Sequence, residues 1–101
     1  MMSDLSGAWK IQIRFVRGSA EHSMQVEQSG DEIKGVYRSQ YGARDLSGSI
    51  SAGKVQLRVP VHYESVGTTY SFSGQLEGDV LRGEVDLGEY WTGTWEAQRV
   101  G

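Results

Sequence analysis

The chemistry-bearing residues of this chain are polar aromatics grouped with one arginine. His22, Tyr37, Arg44, Tyr63, Tyr70, Glu89 and Trp91 recur at intervals that a strand meander would gather at one end of a barrel. Phenols and an imidazole offer apolar walls with orienting hydrogen bonds, and a guanidinium offers a seat for an anion. These residues are therefore the expected ligand-binding set. A plainer reading stands beside it: Tyr and Trp also plug barrel ends with the ring buried and the polar tip in water. Arg44 would then pair with Glu89 or Asp45. A third reading makes His22, Arg44 and Tyr37 an acid, base and anion holder of a small enzyme.

Other chemistries find less support. His22 and His62 fall on opposite faces of their strands, so no shared metal site is expected. The chain has no Cys, which removes thiolate nucleophiles, disulfides and Cys-based zinc sites. No Gly-x-Ser-x-Gly elbow is present. Ser47 and Ser49 read as solvated outer-face residues, and Glu84 and Asp86 point outward, unlike a glycosidase pair across a cleft. No catalytic residue, cofactor or metal is assigned, and the chain reads as a non-enzyme.

The elements that must position the mouth residues are legible in a period of two. Trp9, Ile11, Ile13 and Phe15 alternate with Lys10, Gln12 and Arg14, and the same alternation recurs in seven further segments. Turns are expected around Gly18, Gly30, Gly42, Gly53, Gly67, Gly78 and Gly88. No stretch holds a helical period, and no connection is long enough for a crossover. The expected architecture over residues 1–101 is one all-β domain, an antiparallel up-and-down meander barrel of about eight strands, calycin-like. A two-sheet sandwich is the rival. Closure hides the apolar face and abolishes sheet edges. Gly35, Gly48, Gly74, Gly83 and Gly93 fall mid-strand on the inward face, where they permit tight coiling. Pro60, which cannot donate to a ladder, is expected opposite Asp45, where the fourth strand is only starting.

Up-and-down tracing separates two ends. Val26, Ile33, Ile50, Val55, Leu76 and Leu81 line one as an aliphatic plug, and the polar aromatic set lines the other. Trp9, Ile13, Leu57, Val59, Phe72, Val85 and Trp95 are the expected core. The first and last strands, around Trp9 and Trp95, must pair to close the barrel.

A net charge of −3 with scattered Lys and Arg argues against nucleic acid or an anionic membrane as partner. No apolar run approaches about 18 residues, and the start lacks a basic and then apolar leader, so the sequence points to the cytoplasm. The outward-facing polar residues run opposite to an outer-membrane barrel. Oligomeric state is left open.

Gly7-Ala8-Trp9 at the opening of a meander barrel resembles avidins and other calycins in architecture. A longer resemblance runs along nearly the whole chain. Gly7-Ala8-Trp9, Ala20-Glu21-His22, Arg44-Asp45-Leu46-Ser47-Gly48, Tyr70-Ser71-Phe72-Ser73-Gly74, Gly88-Glu89-Tyr90 and Trp95-Glu96-Ala97-Gln98-Arg99 carry it. The series is similar to a β-domain appended C-terminally to bacterial PLP-dependent enzymes, relatives of selenocysteine synthase and D-glucosaminate-6-phosphate ammonia-lyase. That resemblance implies an accessory domain with an associated PLP-dependent enzyme as partner. The PLP-binding fold itself is missing. Lys10 and Lys34 alternate onto the polar face and Lys54 sits in a turn, so none is a desolvated Schiff-base lysine.

Overall fold

A computed structural model describes residues 5–16, 18–39, 42–63, 66–86 and 92–100, the side chains of 61–63 and 66–68 excepted. Eight strands follow one another: β1 (Gly7–Phe15), β2 (Gly18–Ser29), β3 (Glu32–Ser39), β4 (Gly42–Ser51), β5 (Lys54–Tyr63), β6 (Val66–Glu77), β7 (Val80–Asp86) and β8 (Thr92–Val100). Each pairs antiparallel with the next, and β1 pairs with β8, giving a closed up-and-down barrel. Trp95 stands opposite Ile13 across that seam. No helix among the described residues is long and apolar enough to cross a membrane.

Alternation decides which face each residue takes. Trp9, Ile11 and Ile13 are buried while Lys10, Gln12 and Arg14 are exposed. All seven expected core residues are buried. Val59 has no exposed surface, which fixes the inward register of β5 beside Pro60. The β4–β5 ladder ends at Ser47 opposite Arg58, so Pro60 lies beyond it and costs no bond there.

Two features make the barrel narrow. First, Gly74 of β6 stands opposite Gly83 of β7, and Gly83 stands opposite Trp95 of β8. A Cβ on Gly83 would run into the Ser73 carbonyl and the Gly74 Cα. The indole of Trp95 reaches across β7 and its Nε1–H donates to the Ser73 carbonyl at 3.0 Å. Bare backbone at both glycines is thus the floor on which the indole lies, an aromatic side chain covering strand glycines.

The second is tight reversal. Ser51 pairs with Lys54, leaving Ala52 and Gly53 as a two-residue hairpin loop with φ of +51° and +81°. Positive φ at both positions is the type I′ pattern that matches strand twist. Alanine pays a steric cost there that Asn largely avoids. Ala52→Asn is therefore expected to stabilise the fold by about 0.5–1 kcal/mol, read as a shifted urea midpoint at constant slope. An unchanged or lowered midpoint would show that the turn does not hold this conformation.

The turn positions need one correction. Gly18 and Gly42 open β2 and β4, and Gly67 pairs with His62 inside the β5–β6 ladder. That ladder runs on to Tyr63 opposite Val66, so only two residues separate the strands. Gly88 lies outside the described residues.

The plugged end is also more than aliphatic. Leu5, ahead of β1, is fully buried beneath the barrel. Its N–H donates to Gln28 Oε1 at 2.9 Å, and its carbonyl accepts from Trp9 Nε1 at 2.8 Å. The Gln28 N–H donates to Ser6 Oγ, and Arg99 Nη1 donates to the Ser6 carbonyl at 2.8 Å. The Arg99 guanidinium also stacks 4.5 Å from the Trp9 ring centre and pairs with Asp79 at 3.0 Å. The aliphatic ring seen in the sequence is real, but an indole, a guanidinium and a preceding leucine complete the seal.

Candidate functional site

The end opposite Leu5 gathers the described part of the polar aromatic set. Tyr37 is at its centre and buried, on the inward register of β3. It faces Arg44 directly across the β3–β4 ladder and Met24 across β2–β3. His22 stands two residues beyond Met24 on the same face of β2, half-buried, within reach of the Tyr37 ring. Their rings meet edge to face with centroids 5.2 Å apart, and Tyr37 Oη hydrogen-bonds His22 Nδ1.

The electrostatics of this pair follow from burial. Desolvation lowers the His22 pKa, which keeps the imidazole neutral. Burial, helped by the neighbouring Tyr70 hydroxyl, raises the Tyr37 pKa well above that of a free phenol. Phenol is the stronger acid and imidazole the better acceptor, so Tyr37 O–H donates to Nδ1. The His22 proton then resides on Nε2. A phenol held this firmly protonated is no nucleophile or base at neutral pH.

Behind Tyr37 a column of rings fills the lumen. Tyr37 and Phe72 lie 5.7 Å apart, and Phe72 meets Trp95 edge to face at 5.1 Å. Phe15 and Tyr70 pack against this core while remaining partly exposed. Arg44 follows the inward alternation of β4, is partly exposed, and donates through Nη1 to the Ala43 carbonyl at 3.0 Å. That bond goes to a backbone carbonyl; the guanidinium has further interactions, and Glu89, one of its two expected partners, lies outside the described residues.

Of the expected ligand set, the structure brings together His22, Tyr37, Arg44 and Tyr70. Tyr63 ends β5, with its side chain outside the described residues, as are Glu89 and Trp91. No cluster of three metal-ligating side chains occurs among the described residues. A depression of about 350 Å³ opens on the outer wall between Arg58 and the Glu84–Asp86 pair over Ser71 and Ser73.

One feature escaped the reading of the sequence. Every strand carboxylate falls on an outward position, from Glu21 in β2 to Glu96 in β8. The inward positions of the described strands carry Arg44 at one end, Arg99 at the other, and no carboxylate. The signal was present in the parity of Asp and Glu along each strand. Arg99 engages Asp79, Ser6 and Trp9, and Arg44 stands opposite Tyr37 at the other end. Comparison with protein-family models and with curated proteins finds no match for this chain.

Proposed function

We propose that this barrel is a non-catalytic module that binds a small anionic ligand, or the anionic group of a partner protein, at the His22–Tyr37–Arg44–Tyr70 end. The observation that carries this is the asymmetry of the lumen. One end is sealed by Leu5 and its clamp, and the other presents hydroxyls, an imidazole and a guanidinium with no inward carboxylate among the described residues. Barrel mouths of this size are common ligand sites.

Thermal melts with acetate, benzoate and inorganic phosphate test it. Ligand at 100 times its dissociation constant stabilises the native state by about 2.7 kcal/mol. The wild-type melting temperature is expected to rise with at least one of these anions, and Arg44→Ala to lose most of that rise. Equal responses, or none, would reject the binding reading.

A second reading has its own support. The ring column from His22 to Trp95 occupies the lumen as a packed core does. In that case the barrel is a structural or oligomerising accessory. The likeness to domains appended to PLP-dependent enzymes suits this reading, with such an enzyme as the partner.

A further inference from the structure

We infer that Leu5 and Ser6 form a hinged strap, which swings out about Gly7 and opens the sealed end of the barrel while the strand ladders stay intact. The inference concerns the end away from the mouth and does not depend on the binding reading. Both residues lie outside the ladders of β1. That strand begins to pair with β2 at Gly7 opposite Val26, and with β8 at Ala8 opposite Val100. β2 runs on past the start of its partner, so the Gln28 N–H donates to Ser6 Oγ and not to a β1 carbonyl.

Gly7 is the hinge. Its φ of +130° is one that L side chains rarely adopt, and it lies at the junction where the chain leaves the position beneath the barrel and enters the wall. On one side of it Leu5 is fully buried as part of the core, and Ser6 is exposed. On the other side β1 is held along both edges. A backbone change at this single glycine therefore moves the strap and leaves the strand in place.

The groups that receive the strap are anchored by contacts in which it takes no part. Gln28 Nε2 donates to the Gly30 carbonyl at 3.0 Å, which holds the side-chain amide whose Oε1 accepts from Leu5. The Arg99 N–H donates to the Asp79 carbonyl and its Nε to the Asp79 carboxylate, both at 3.0 Å, and its guanidinium rests on the Trp9 ring. Gln28 Oε1, Trp9 Nε1 and Arg99 Nη1 thus keep their aim when the strap is out, and reclosing orders only two residues. Undocking breaks their bonds to the strap and uncovers one leucine. That is a small part of what holds the barrel, so it is an opening well short of global unfolding.

Native-state amide hydrogen exchange of the full chain, in rising urea below the unfolding transition, is the test. Protection at Leu5 and Gln28 is expected to be lower than at Ile11 and Ala97 by about tenfold or more, through an opening that urea barely promotes. One common urea dependence for all these amides would overturn the inference, because the strap would then leave only on global unfolding. Gly7→Ala puts an L residue at the hinge, while its Cβ, 3.5 Å from Arg99 Nη1, adds only ordinary contact. This variant is expected to lower protection at Leu5 and Gln28 by about tenfold and to leave Ile11 and Ala97 unmoved. An equal loss at all these amides would make the strap part of the barrel's cooperative unit, and unchanged protection at Leu5 and Gln28 would remove Gly7 as the hinge. Either result overturns the inference. The wild-type measurement does not depend on the variant folding.

Discussion

Gly83→Ala is expected to cost more than about 3 kcal/mol and to leave little folded protein, because overpacking against rigid backbone has no cheap relief. The added Cβ would meet the Ser73 carbonyl and the Gly74 Cα, and the carbonyl carbon of Ser73 lies only 2.7 Å away. None of these atoms is the end of a flexible side chain. Separating β6 from β7 would also lift the Trp95 indole from its floor and strain its bond to Ser73. Near-UV circular dichroism and urea unfolding measure the effect. Gly78→Asn is the matched control, since Gly78 has open space and a φ of +65° that Asn tolerates. A loss below about 1 kcal/mol for Gly83→Ala would mean that Gly74 and Gly83 do not face each other.

Trp9→Ala should remove about 3–5 kcal/mol, the usual range for deleting a buried indole. The side chain is 1% exposed, and three separate contacts depend on it. Its Nε1–H satisfies the Leu5 carbonyl, its ring supports the Arg99 guanidinium, and its bulk fills the plugged end. Loss of the indole leaves the buried Leu5 carbonyl without that donor, so the strap at residues 5–6 should loosen along with the core. Amide hydrogen exchange at Leu5 and Gln28 reports the strap separately from global unfolding. Protection retained at both amides in Trp9→Ala would show that the strap is held by Gln28 and Arg99 alone. A net effect under about 1 kcal/mol would contradict the burial itself.

Both results depend on details of unequal visibility in the sequence. Strand number, pairing order and inward faces follow from alternation, because a one-residue slip would turn Trp9, Leu57 and Val85 to solvent together. The inward glycines could be placed by the same parity, and their meaning as close-approach points follows from having no Cβ. The ends were harder. Leu5 precedes the first alternating segment, so no periodicity marks it as core. Arg99 follows the inward parity of β8, yet a guanidinium at a strand end looks solvent-bound until Asp79 and Ser6 are seen beside it. At the mouth, parity alone brought His22, Tyr37, Arg44 and Tyr70 to one end. The hydrogen bond between His22 and Tyr37 needed more, since they stand diagonally on neighbouring strands and only a long phenol spans the offset. The absence of inward carboxylates among the described strands was readable, but it emerges only when acidic residues are counted by face and not by number.

The seam between β1 and β8 sets the tempo of assembly. Seven of the eight strand pairs join neighbours in the chain and can zip as local hairpins, while the eighth must bring Ala8 to Val100. Joining such distant residues carries a large chain-entropy cost before any contact repays it, and barrels of this kind fold in about milliseconds to seconds. Throughout that interval β1 and β8 are two unpaired edges flanked by the exposed faces of Trp9 and Trp95. Each edge is complementary to the other, so an unclosed chain is also complementary to its neighbour in solution. Dilution during refolding thus favours the intramolecular partner, and crowding favours the wrong one. Once the seam is shut, β1 and β8 no longer present their edges to a neighbouring chain.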